Sequence, residues 1–165
     1  MMQVISENPS TLVFSQGEHE TARLVYKNRF SGKAAIHFPD GRICEVVLTD
    51  FWRSVSEIRE NGKAILVFRR KWTGKTMIET ADTGSRYTYF FRQKGFFTHR
   101  YVLYDKDDRE LAVARSEFHW KGFRYSFSLH LSDSIRRREN HVILAVLLVY
   151  LTKRAMSQHQ AAVVA

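Results

Sequence analysis

Residues Arg136 to Arg154 read RRRENHVILAVLLVYLTKR, a wholly apolar segment between two basic clusters. Such a segment has three readings: a membrane anchor, a surface helix that docks on a partner, or the buried centre of the fold. The uninterrupted apolar run is Val142 to Leu151. As a helix it is about 15 Å long, whereas a bilayer core needs about 30 Å and about 20 residues. Extension upstream meets Arg136, Arg137, Arg138 and Glu139, and extension downstream meets Lys153 and Arg154. Length therefore argues against a membrane span. A docking or interfacial helix keeps one polar face. Here every face is apolar and only the Tyr150 hydroxyl interrupts, so the segment must be surrounded on all sides. Each large aliphatic side chain left in water would forfeit roughly 1.5–3 kcal/mol, and the sum would exceed the net stability of a domain. The expectation is a central helix over residues 139–156. Its Leu and Ala content favours helix, while Val142, Ile143, Val146 and Val149 keep a buried strand open.

The rest of the chain reads as strands. In Arg124 to Leu131, Tyr125, Phe127, Leu129 and Leu131 fall on one face and Arg124, Ser126, Ser128 and His130 on the other. Arg109 to Phe118 precedes it through a hairpin at His119 to Gly122, and Phe97 to Tyr104 comes before that, across the polar turn Asp105 to Asp108. Further strands are expected at Arg86 to Arg92, Lys75 to Ala81, Ile65 to Trp72, Ile43 to Leu48, Lys33 to Phe38 and Ala22 to Lys27, with a weaker one at Leu12 to Phe14. Thr73-Gly74 and Pro39-Asp40-Gly41 mark turns. Asp50 is read as the cap of a short helix carrying Phe51, Trp52, Val55 and Ile58. Many strands and one wholly apolar helix predict a mainly β fold: a closed antiparallel barrel of about ten to twelve strands whose interior the helix fills.

Composition agrees with one domain over residues 1–165. Hydrophobic residues make up 44% and charged residues 26%, and no Pro-rich or Gly/Ser-rich linker divides the chain. Cys44 is the only cysteine, which excludes an intrachain disulfide and a Cys-based metal centre. The first residues, MMQVISENPS, lack the charged and apolar regions of a secretory signal, so a cytoplasmic setting is expected.

The segments Tyr101 to Arg115, Phe123 to Ser132 and His141 to Leu151 together resemble the tubby-like superfamily, which includes tubby C-terminal domains, phospholipid scramblases and the LURP-one-related proteins. The LURP-one-related group is the nearest in appearance. The resemblance covers residues 97–154 and rests on a pattern, in which a strand, an acidic turn and a hairpin lead into an apolar helix threaded through a barrel. This chain departs from it in the three arginines between Ser134 and Asn140. The resemblance implies a barrel around a C-terminal helix and binding of phosphoinositide head groups by surface Lys and Arg. It transfers no individual ligand residue.

Signatures of catalysis are missing. Gly74-Lys75-Thr76 looks like the end of a phosphate-binding loop, but Arg69 stands where the motif needs its first Gly. Asp105, Asp107, Asp108 and Glu110 look like a calcium loop, but Glu110 and Ser116 stand where an EF-hand needs Gly and Glu. The seven histidines show no i, i+4 pair; Glu117 and His119 share a strand face that His130 would have to join across a hairpin to bind metal. Cys44 lies within an apolar strand pattern, as a buried inert thiol would. No enzyme, metal site or cofactor is expected.

Charge gives the remaining signal. The 26 Lys and Arg against 17 Asp and Glu leave a formal net charge of +9, which favours anionic partners. The candidate anion-binding residues are Arg69, Arg70 and Lys71, then Arg92, Lys94 and Arg100, then Arg136, Arg137 and Arg138, with Lys153 and Arg154 beyond the apolar run. Two functions follow. One is a module for anionic lipid head groups, peripheral to the inner membrane face. The other is a nucleic-acid binder that stacks bases on the aromatics of Tyr87 to Arg100. A structural or interaction domain is a third reading.

Overall fold

The computed structural model describes residues 1–28, 31–50, 52, 54–81, 86–95, 99–119 and 124–164. The strands are β1 (Met2–Asn8), β2 (Thr11–Gln16), β3 (His19–Tyr26), β4 (Ala34–His37), β5 (Ile43–Leu48), β6 (Val55–Glu60), β7 (Lys63–Arg70), β8 (Thr76–Thr80), β9 (Thr88–Lys94), β10 (Arg100–Asp105), β11 (Glu110–His119) and β12 (Arg124–Leu131). Each pairs antiparallel with the next, and β1 pairs with β12 in the register Val4↔Phe127, so the sheet closes on itself. Closure leaves no row of unpaired backbone groups at an edge. A short helix, α1 (Asp133–Arg136), leads into α2 (His141–Val164).

Alternation along the strands builds the core. Val4, Leu12, Phe14, Leu24, Ile58, Leu66, Phe68, Ile78, Tyr89, Phe91, Phe127 and Leu129 are all buried in one apolar cluster. Ile143 to Leu151 of α2 belongs to the same cluster, and Leu144 through Leu148 are at most 1% exposed. Of the three readings of this segment, the buried centre holds: α2 is the inner layer of the barrel. It runs closest to β3, β10, β11 and β12. Fully or almost fully buried Ala22 on β3 and Ala112 and Ala114 on β11 keep the wall thin there. No helix among the described residues is long and apolar enough to cross a membrane.

The polar interruption at Tyr150 is anchored. Its hydroxyl donates to the Gly32 carbonyl at 2.7 Å, and its ring lies 6.0 Å from those of Tyr26 and Phe68. Gly32 has φ +70, and a Cβ there would sit 3.2 Å from the Tyr150 hydroxyl oxygen, so glycine meets both demands. Two ends follow from the topology. At the helix-entry end lie α1 and the start of α2. At the helix-exit end lie the β1–β2, β3–β4, β5–β6, β7–β8, β9–β10 and β11–β12 connections. Gln160 near the end of α2 donates to the Tyr125 hydroxyl at 3.2 Å, at the start of β12.

Several expectations are corrected. Among the described residues no helix follows Asp50: Val55 and Ile58 lie in β6, where Ser56 and Ile58 face inward, while Phe51 lies outside the described residues. The Asp50 carboxylate instead accepts from the Ser54 hydroxyl and, at 3.1 Å, from the Val55 amide, so it organises a loop. β1 was not among the expected strands and supplies the closing pair. β9 starts at Thr88 and runs past the expected end at Arg92 to Lys94. α2 starts at His141, later than residue 139, and continues past residue 156 to Val164.

Candidate functional site

Around the helix-exit mouth the strands stop but α2 continues. From Leu151 onward, Leu151, Arg154, Ala155, Gln158, His159 and Ala162 repeat at helical spacing along one stripe. That stripe faces the ends of β6 to β9 across a cavity of about 330 Å³. Its floor is apolar, from Phe68, Phe91, Leu151 and Ala155. Its upper lining is polar, from Ser54, Ser56, Arg70, Gln93, Arg154 and His159.

Local structure explains why these side chains meet. Leu66 and Phe68 point inward on β7, so the alternation directs Arg70 toward the same mouth just as the barrel opens. The Arg70 amide donates to Ser54 at 2.9 Å, and the Arg70 guanidinium donates to the Gln158 side-chain oxygen at 2.8 Å. One backbone contact therefore joins the β5–β6 connection to the end of β7, and one side-chain contact ties β7 to α2. A tight turn closes the β7–β8 connection. The Lys71 amide donates to Lys75 at 2.8 Å, the Gly74 amide donates to Lys71 at 3.0 Å, and Gly74 takes φ +84.

The nine candidate residues do not form one patch. Arg69 lies 3.6 Å from Glu79 and Arg70 enters the mouth; Lys71 sits beside it, exposed, and forms no ion pair among the described residues. Arg92 borders the cavity, but its guanidinium lies 4.1 Å over the Tyr104 ring and 3.8 Å from Asp108. Lys94 and Arg100 converge on Glu110 at 2.7 Å and 2.6 Å. Arg100 first, and then Lys94, hold the Glu110 carboxyl down at a pKa of about 2. Two of the expected anion ligands are thus occupied by an internal carboxylate.

Arg136, Arg137 and Arg138 lie at the opposite end. Arg136 and Arg137 are exposed, and Arg136 borders a second cavity of about 220 Å³ with His141 and Met2. Arg138 folds back over the Tyr87 ring at 3.7 Å and the Tyr89 ring at 5.6 Å, closing the helix-entry mouth by cation–π contact. Burial raises the Tyr89 hydroxyl pKa. The proposed base-stacking surface is altered as well: Tyr89 and Phe91 are buried inside the barrel.

Gln158, His159 and Ser54 were not read from the sequence as site residues, and Arg154 was noted only as a flank. The signal for three of them was the stripe that continues at three- and four-residue steps beyond Leu151. Ser54 carried no such signal, because its place depends on the pairing of β6 with β7. Other chemistry is quiet. Burial first pushes the Cys44 thiol up to about 11, which disfavours the thiolate. His119 meets the Ser126 hydroxyl at 2.7 Å, and His130 is paired with Val113, well along β11 from Glu117. Among the described residues no group of three or more His, Cys, Asp or Glu side chains has metal-site geometry. The arrangement at the helix-exit mouth suits an anion whose charge meets Arg70 and Arg154 while its apolar part covers Phe68 and Phe91. No family model, curated protein or solved structure matches the chain.

Proposed function

We propose that this chain is a non-enzymatic binding module for anionic lipid head groups, phosphoinositide-like in chemistry, at a membrane surface. The observation that carries the reading is the cavity at the helix-exit mouth, where Arg70 and Arg154 stand above an apolar floor. Guanidinium groups hold phosphate by charge-assisted hydrogen bonds, and an apolar floor accommodates the first carbons of a glycerolipid. The reading includes membership of the tubby-like superfamily, supported by twelve closed strands around one apolar helix. It also includes a cytoplasmic protein held at the inner membrane face. The nucleic-acid alternative has less support, since Tyr89 is buried inside the barrel and Phe91 is reached only through the cavity, so neither forms a stacking platform on the outer surface.

The test is co-sedimentation with vesicles of phosphatidylcholine alone, with added phosphatidylserine, or with added phosphoinositide, each at low and high salt. Retention by the phosphoinositide vesicles, weakened roughly tenfold by Arg70→Glu, is the expected result. Failure to bind any vesicle overturns the reading. Preferential binding to single-stranded DNA under the same conditions favours the nucleic-acid alternative.

A further inference from the structure

Trp72 is 101% exposed and Trp52 is 84% exposed. A surface tryptophan ordinarily lays part of its ring on the protein, so the wholly exposed Trp72 indole, with a second largely exposed indole in the next loop, needs an explanation. Their positions are related. Trp72 occupies the tip of the turn that joins β7 to β8, and Trp52 lies in the β5–β6 connection. These are neighbouring loops on the helix-exit rim, and the Ser54 carbonyl of one accepts from the amide of Arg70, the last β7 residue before the other. Both loops also border the cavity, through Ser54, Arg70 and Gly74.

The charge around them has one sign. Lys71 and Lys75 flank Trp72, Lys33 stands on the same rim, and none of the three enters an ion pair among the described residues. The only acid in the described part of the two loops is Asp50, whose carboxylate is engaged by Ser54 and Val55. The strand connections at the other end mix Glu18, Asp40, Asp107 and Asp108 with their basic residues.

We infer that the helix-exit rim is the membrane-facing surface, with Trp52 and Trp72 inserting into the interfacial layer of an anionic bilayer beside the cavity. Indole is apolar in body and carries one N–H donor, so it favours the boundary between head groups and acyl chains. Lysines around it gain from the negative surface potential of the same leaflet. The inference rests on the lipid-binding reading and adds an orientation: the barrel stands on this rim, with α1 and Arg136 to Arg138 directed away from the bilayer.

The chain has three tryptophans, so the reporter is made unique with Trp52→Phe and Trp120→Phe, leaving Trp72. The variant is mixed with vesicles of phosphatidylcholine, phosphatidylserine and phosphoinositide, some containing lipids brominated near the glycerol end of the acyl chain. The expected result is a blue-shifted emission quenched by bromine, together with a loss of vesicle affinity of roughly tenfold for Trp72→Ala and again for Trp52→Ala in the otherwise natural chain. Sedimentation with the vesicles while Trp72 stays water-exposed and unquenched overturns the orientation and leaves lipid binding intact. Absence of sedimentation overturns both.

Discussion

At the scale of single residues, the finding with most consequence is where the cations spend their charge. Glu110 accepts from Arg100 and from Lys94, and Tyr104 lies within 3.5 Å of the same carboxylate. The carboxyl is held near pKa 2, against an ordinary 4.5, with Arg100 the largest cause. A depressed folded-state pKa contributes stability that is fully present above the unfolded value and is lost as pH falls through the folded one. The window here is therefore pH 4.5 down to 2. Arg100 and Glu110 are only partly covered and Lys94 is 55% exposed, so solvent screening holds the contribution to about 1 kcal/mol. Glu110→Gln is expected to lower stability by about 1 kcal/mol at pH 7 and to match the parent chain near pH 2. Urea unfolding midpoints at a series of pH values read this directly. A deficit that persists unchanged at pH 2 would assign Glu110 a packing role instead.

At the scale of elements, the periodicities that were easiest to read belong to the interior. The apolar run of α2 and the alternation of β12 are set by burial on every side or on one face, and burial writes itself into composition. Elements whose inward face is polar or short carry a weaker period. In β6, Val55-Ser56-Glu57-Ile58-Arg59-Glu60 places a serine, not an aliphatic residue, on the inward face, and with Trp52 and Asp50 upstream the same residues mimic a capped amphipathic turn. β1 was missed because its inward positions, Met2 and Val4, are too few to show a period. The candidate site was less legible still, because ion pairs such as Lys94 with Glu110 and contacts such as Arg70 with Gln158 join residues far apart in sequence. The packing role of α2 gives a sharp expectation. Leu148 is fully buried inside a closed wall that cannot collapse onto a void, so Leu148→Ala should cost about 3–5 kcal/mol, near the upper end for such truncations. Thermal or urea unfolding measures it, and a cost below about 1 kcal/mol would mean that the helix is not the centre of the core.

At the scale of the whole molecule, closure of the barrel decides which charges can act together. Antiparallel strands send successive turns to alternate ends, so residues adjacent in a hairpin series are sorted into two rims on opposite sides of the fold. Lys71 and Lys75 fall on the rim where α2 leaves, and Arg136 and Arg137 fall on the rim where it enters. A molecule with a formal net charge of +9 would draw any anionic surface weakly from all sides, and that attraction fades within a Debye length of about 8–10 Å in ordinary salt. A single docking face gives a different signature. The pair Lys71→Glu, Lys75→Glu and the pair Arg136→Glu, Arg137→Glu change the net charge equally, so any difference between them reports position alone. At about 1 kcal/mol per basic residue beside an anionic bilayer, the lysine pair should reduce affinity for phosphatidylserine vesicles by at least about thirtyfold, and the arginine pair by less than about threefold. Raising the salt should shrink the first loss, because the lysine contribution is screened while the tryptophan contribution is not. Equal losses for the two pairs would make the attraction generic and remove the preferred face. A larger loss for the arginine pair would turn the molecule over and place the helix-entry mouth, with Arg138 closing it, against the lipid.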